Sequence, residues 1–184
     1  MESLLLAPAL HPSVTVRIER QTEEHRPREQ RFARVLLQET IAECFGAKEY
    51  FPAFDEEGRP CWKGGICWSI THKFPWIAVA VSKYPVGIDL EMLVERDTAL
   101  FSFFSREEWE ILGSCDWLRF YMLWTAKEAV IKQERCTIDA LRDIRLTGFA
   151  ESKLLLAYHG RRIAVQPTVT DAYVCSLASL HDAM

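Results

Sequence analysis

Asp89 and Glu91 stand two residues apart in Val86-Gly87-Ile88-Asp89-Leu90-Glu91, a segment whose alternation predicts a strand. The pleat turns both carboxylates to one face and Val86, Ile88 and Leu90 to the other, into the core, while Gly87 permits close backbone approach. Two carboxylates on one face repel unless a cation lies between them. The pair therefore suits a hard, oxygen-ligated ion such as Mg²⁺, the plainer alternative being two solvated acids on an edge strand. A third carboxylate, Glu128, sits on a predicted helix with Trp124 four residues before it and Lys132 four after, so the three share roughly one face. A surface Glu–Lys pair would explain that spacing. Against it, Phe120, Tyr121, Leu123, Ala126, Ala129, Val130 and Ile131 make the helix apolar around much of its girth, and a buried charge needs a partner or a metal.

Thr71 and His72 follow Ser69-Ile70 at the end of another predicted strand and precede Lys73. A hydroxyl, an imidazole and an ammonium there suit phosphate oxygens, although a lone histidine beside a turn is commonly incidental. Gly58-Arg59-Pro60 is a rigid turn presenting one arginine. Neither a Ser-His-Asp nor a Cys-His pair is in prospect, and there is no phosphate-binding GxxxxGK loop or GxGxxG. Three carboxylates with two or three cationic groups point to metal-assisted chemistry on a phosphate ester.

These residues need a scaffold, and the chain can supply one. Its 184 residues are 49% hydrophobic and 26% charged, enough for a sizeable core and too apolar for disorder. A net charge of −4 leaves no global positive field for nucleic acid, so an anion must be held by a local cluster. The longest apolar runs, such as Trp76 to Val81, fall far short of the ~20 residues that cross a bilayer. Leu4 to Ala7 lacks the flanking basic residues of a signal peptide, and the six cysteines, at 44, 61, 67, 115, 136 and 175, form no CxxC pair. Reduced thiols in a cytoplasmic protein are expected.

Leu4 to Ile18 reads as strand with a turn at Pro8 to Pro12, and Glu23 to Phe45 as a helix stopped by Gly46. Pro52 to Gly65 is loop. Ile66 to Ile70, Trp76 to Ser82 and Val86 to Glu91 are strands, with a halfway boundary at Pro85. Ser105 and Glu108 have capping-box spacing for a helix closed by Gly113, and a longer helix runs from about Trp117 to Glu134. Ile144 to Leu146, Lys153 to Tyr158, Arg162 to Val165 and Tyr173 to Ala178 complete the chain as antiparallel strands. The class is α+β, without the strict alternation of a Rossmann or barrel chain.

The order Gly58-Arg59-Pro60, Trp68-Ser69-Ile70-Thr71-His72, Val86 to Glu91, Phe103-Phe104-Ser105-Arg106-Glu107-Glu108, then Trp124-Thr125-Ala126-Lys127-Glu128-Ala129-Val130-Ile131-Lys132 closely resembles the 4′-phosphopantetheinyl transferase superfamily. The resemblance runs from about Arg34 to Lys132, and the length points to the longer group that activates peptide and polyketide synthases. It implies two similar α+β halves, 1–85 and 86–184, related by a pseudo-two-fold axis, with coenzyme A in the cleft between them. The implied activity is of the holo-acyl-carrier-protein synthase type: transfer of the 4′-phosphopantetheine arm of coenzyme A to a serine of an apo acyl or peptidyl carrier protein, releasing adenosine 3′,5′-bisphosphate. By resemblance Asp89, Glu91 and Glu128 hold Mg²⁺, Lys132 neutralises charge at the transferred phosphoryl group, and Thr71 with His72 contacts the coenzyme phosphates. Arg34 and Arg59 carry over as contacts to its nucleotide end, and either Glu128 or Glu108 would take the serine proton. A monomer is expected, because the two halves supply the cleft.

The chain departs from the family at two places. Thr71-His72-Lys73 stands where Ser-His-Ser is frequent, leaving Lys73 to add a phosphate contact or face water. Gln133-Glu134-Arg135-Cys136 lacks the usual glycine-rich turn, so the loop beside the cleft should differ. Two other readings stand beside the transferase: a catalytically silent coenzyme A-binding or carrier-docking module, and a hydrolase of coenzyme A.

Overall fold

The computed structural model describes residues 3–4, 14–23 and 28–179. In chain order the elements are β1 (Ser3–Leu4), β2 (Val14–Arg20), α1 (Glu29–Phe45), β3 (Ala53–Phe54), β4 (Pro60–Cys61), β5 (Cys67–Lys73), β6 (Trp76–Ser82) and β7 (Val86–Met92). They continue with α2 (Arg106–Leu112), α3 (Trp117–Glu134), β8 (Arg145–Ala150), β9 (Lys153–Tyr158), β10 (Arg161–Val165), β11 (Thr168–Val169) and β12 (Tyr173–Ser179), with 3₁₀ turns at Thr98–Phe103 and Ile138–Arg142. The α+β class holds. The turn expected at Pro8 to Pro12 lies outside the described residues, and the first described residue of the α1 helix is Glu29, not the Glu23 expected from sequence.

Before Pro85, β1, β2, β6 and β5 form one sheet in the order β1-β2-β6-β5, with β3 and β4 paired apart from it; β7 starts another, β11-β12-β7, and β10-β9-β8 is a third. The first sheet carries α1 on one face, where Leu36, Leu37 and Ile41 pack on Trp68, Ile77 and Val79. Its other face, with Val14, Ile18, Ala78 and Ala80, shares a core with Val86, Ile88, Leu90, Cys175 and Leu177 of the second sheet. The other face of that second sheet is covered by α3, whose Leu123, Ala126 and Val130 cluster with Val174 and Ala178 and with Leu154 and Leu156 of the third sheet. The alternation expected for β7 thus has a partner on each face: even-numbered residues meet the first sheet and odd-numbered ones meet α3.

Helix ends follow the sequence signals. Gly46 and Gly113 close α1 and α2 in the left-handed conformation, at φ +66° and +81°. Ser105 and Glu108 form the reciprocal capping box at the start of α2. Two differences bear on the site. The strand expected to stop at Ile70 continues to Lys73, pairing Thr71, His72 and Lys73 with Ala78, Ile77 and Trp76 of β6. Inside the expected loop, β3 and β4 form a two-rung hairpin, a ladder too short to leave a period in the sequence.

Candidate active site

Gly87 sets the geometry. A Cβ there would lie 1.9 Å from the Ala129 carbonyl oxygen and 2.5 Å from the Gln133 nitrogen, so only glycine lets β7 press onto the backbone of α3. Asp89 and Glu91 are on the same face of β7 as Gly87 and therefore open toward the helix stripe that carries Trp124, Glu128 and Lys132. The strand β5 lies alongside β7 without sharing its ladder and is stitched to it by hydroxyls. Ser69 Oγ accepts from the Ile88 amide at 3.0 Å, and Thr71 Oγ1 donates to Asp89 Oδ1 at 3.1 Å.

A cleft of about 690 Å³ results. Its walls include Arg34 from α1, Phe54, Asp55 and Gly58 from the β3–β4 hairpin, Thr71 and His72 from β5, Asp89 and Glu91 from β7, and Trp124, Glu128 and Lys132 from α3. Segments far apart in the chain thus deliver the three predicted carboxylates, with Asp55 beside them, an imidazole and two cations to one space. Lys132 Nζ donates to Asp89 Oδ1 at 2.7 Å and to the Ile88 carbonyl at 3.1 Å. Glu128 has no ion pair or hydrogen bond among the described residues. Burial, reinforced by the Asp89 and Glu91 carboxylates and opposed by Lys132 and Lys73, pushes its carboxyl up to about 7 from an ordinary 4.5.

That shift has a stability consequence. The folded chain holds the Glu128 proton more tightly than the unfolded chain, so the group's stabilising contribution is full below about pH 4.5 and is lost as pH rises through about 7. In EDTA, Glu128→Gln is expected to remove this decline and to raise stability at pH 8 by on the order of 2 kcal/mol. Urea melts of the two proteins at pH 5 and pH 8 measure it. A variant no more stable than wild type at pH 8 contradicts the burial of this charge.

Among the described residues no three His, Cys, Asp or Glu side chains stand close enough to enclose a metal ion without adjustment. The donor set nonetheless fits a hard cation. Asp89 Oδ2 and Glu91 Oε2 are buried oxygens with no hydrogen-bond partner, and the Glu128 carboxyl faces the same cleft.

Not every expected residue reaches the cleft. Glu108 does not: its Oε1 is 2.6 Å from Lys127 Nζ and accepts from the Leu146 amide at 3.0 Å, while Oε2 accepts from the Ser105 amide. Every acceptor is engaged inside the α2–α3–β8 packing, so the serine-proton role considered for it is withdrawn. With Lys127 only 2% exposed, Glu108→Ala would strand a buried ammonium, an expected loss of about 3–5 kcal/mol readable as a lower denaturant midpoint. A midpoint near wild type would contradict that burial. Arg59 lines an adjoining cavity of about 260 Å³ instead, its guanidinium tied to Asp55 at 2.8 Å and to Glu57 at 2.7 Å. Arg34 lines the cleft with its guanidinium 4.9 Å from the centre of the Phe54 ring.

Three placements had no sequence signal. Glu29 Oε1 lies 3.4 Å from His72 Nδ1, and Lys73 and Arg96 both face Glu91, at 2.8 and 3.6 Å. Where the family's glycine-rich turn is lacking, Arg135 itself adopts the left-handed conformation, φ 55°, and caps α3. Its side chain points back to Asp55 at 3.5 Å, joining the end of α3 to the β3–β4 hairpin.

Over 83 residues the chain is 36% identical to a 4′-phosphopantetheinyl transferase of Aneurinibacillus migulanus, a match covering 42% of this chain and 35% of that one. It is 25% identical over 153 residues to enterobactin synthase component D of Escherichia coli O157:H7, covering 77% and 74% of the two chains. To a 4′-phosphopantetheinyl transferase of Bacillus pumilus it is 33% identical over 107 residues, 53% of this chain and 46% of the other. The match thus spans less than half of two of these relatives. The family model for the 4′-phosphopantetheinyl transferase superfamily matches residues 85–178, which carry β7, α3 and the three cleft carboxylates. With just over half of its length matched, the chain belongs to the 4′-phosphopantetheinyl transferase superfamily.

Proposed function

We propose that this protein transfers the 4′-phosphopantetheine arm of coenzyme A to a serine of an apo acyl or peptidyl carrier protein, with Mg²⁺, releasing adenosine 3′,5′-bisphosphate. The observation that carries the reading is the convergence of Asp89, Glu91, Glu128 and Lys132 with Thr71 and His72 on one cleft. A new bond forms between the serine oxygen and the phosphorus bearing pantetheine, and the bond from that phosphorus to the bridging oxygen breaks. The serine proton leaves as the bond forms.

Asp89, Glu91 and Glu128 are the residues that would hold Mg²⁺, which when bound offsets the charge spreading over the pyrophosphate. Lys132, anchored by the Ile88 carbonyl, places an ammonium beside the transferred phosphoryl group. Thr71 and His72 face the coenzyme phosphates, and Arg34 with Phe54 offers a cation and a ring to the nucleotide end. Arg59 acts there indirectly, holding the hairpin through Asp55. Glu128, which lines the cleft from α3, is the carboxylate that would accept the serine proton, directly or through water. In this reading the halves 1–85 and 86–184 close on the cleft, and the protein works as a cytoplasmic monomer.

The test is intact-protein mass spectrometry of an apo carrier protein incubated with this protein, coenzyme A and Mg²⁺, with an EDTA control. A metal-dependent gain of one phosphopantetheine is expected. Free phosphopantetheine with an unmodified carrier would mean a hydrolase instead. Coenzyme A binding without either product, across acyl and peptidyl carriers, would mean a silent binding module.

A further inference from the structure

The Lys73 ammonium is 2.8 Å from Glu91 Oε1, while the guanidinium of Arg96 faces Oε2 at 3.6 Å. This pairing follows from the strands. Thr71 and Lys73 lie two apart on β5, and Asp89 and Glu91 two apart on β7, so the common pleat that brings Thr71 to Asp89 also brings Lys73 to Glu91. Glu91 lines the cleft and is largely buried, its side chain 15% exposed, whereas Lys73 at 37% is open to solvent beside it. Each oxygen of this carboxylate therefore faces a cation supplied by the chain itself.

We propose that Lys73 is a built-in counter-ion that competes with the divalent metal for Glu91 and so makes metal binding depend on the pyrophosphate. The inference rests on the metal reading of Asp89, Glu91 and Glu128 given above. A divalent ion approaching Glu91 meets the like charge of Lys73, which must be displaced before that oxygen can ligate. Displacement is unfavourable while the ammonium has only water to receive it. It becomes favourable when an anionic diphosphate enters the cleft beside β5 and accepts the ammonium in place of Glu91. Metal and diphosphate then assist each other's binding, by equal factors as linkage requires. A serine at this position, the family's frequent choice, has no charge to exchange.

The experiment is a Mn²⁺ titration followed by electron paramagnetic resonance, with no carrier protein and hence no turnover. Wild type, Lys73→Met, Lys73→Arg and Asp89→Asn are each titrated with and without coenzyme A, after circular dichroism has shown that they are folded. In the absence of coenzyme A, Lys73→Met is expected to bind Mn²⁺ about tenfold more tightly than wild type, because a like charge beside the ion is gone. Lys73→Arg should stay near wild type. Coenzyme A should tighten Mn²⁺ binding in wild type by several-fold more than in Lys73→Met. Equal or weaker Mn²⁺ affinity in Lys73→Met, or the same coenzyme A effect in both, overturns the competition. Mn²⁺ binding that Asp89→Asn leaves untouched is a different result: it overturns the metal assignment itself, and this proposal with it.

Discussion

Asp89→Asn is expected to reduce carrier modification at least ~10³-fold while leaving the far-ultraviolet circular dichroism unchanged. Asp89 is the carboxylate where the cleft's contacts meet: Oδ1 receives Lys132 at 2.7 Å and Thr71 at 3.1 Å, and Oδ2 is buried and unpartnered, free to ligate. An amide of the same size keeps the packing of β7. It removes the negative charge, however, and turns one of the two oxygens into a donor that faces the Lys132 ammonium or the metal with the wrong polarity. Glu128→Gln should give a loss of similar size for a simpler reason, since in the proposed reaction it would remove both a metal ligand and the proton acceptor. The contrast lies in metal-free stability, which rises at pH 8 for Glu128→Gln and should not rise for Asp89→Asn, whose charge is already paired. Initial rates by mass spectrometry at saturating Mg²⁺ decide the matter. Retained turnover in either folded variant removes that residue from the metal site.

Gly87→Ala is expected to be the most damaging single methyl group in the chain, costing about 3 kcal/mol or more. The added carbon would overlap the Ala129 carbonyl and crowd the Gln133 amide, and both are backbone atoms of α3. No rotamer change can relieve that contact. Either β7 moves off α3 or the helix bends, and both moves separate Asp89 and Glu91 from Glu128 and Lys132. Loss of stability and loss of activity should therefore go together, with the folded fraction also impaired in Mn²⁺ binding. Chemical denaturation with parallel rate measurement tests this, and a variant of ordinary stability would show that strand and helix do not approach so closely in solution.

Features set by residues close in the chain were legible from sequence. The period-two pattern of 86–91 assigned faces to its carboxylates, the stripe at 124, 128 and 132 followed from 3.6-residue periodicity, and the capping box of Ser105 with Glu108 depends on three-residue spacing alone. Glu108 shows where such reading stops. Its Oε2 does the local work that spacing foretells, but its Oε1 answers to Lys127 on another helix and to Leu146 on a strand 38 residues on, contacts that have no local signature. His72 is similar: three rungs with β6 beyond Ile70 keep it inside a strand, because cross-strand pairing and not its neighbours decides where β5 ends.

Local chemistry and period thus determined, without any structure, the α+β class and the faces that Asp89, Glu91, Trp124, Glu128 and Lys132 take on their strand and helix. The tertiary structure alone decided the partners: Lys73 on Glu91, Lys132 and Thr71 on Asp89, Glu29 on His72, and Glu108 withdrawn into a buried pair. The division has a physical origin. Which face a side chain takes is fixed by backbone dihedrals within a few residues, whereas charge pairing depends on two strands from different sheets and a helix coming together across one glycine, at separations no local period records.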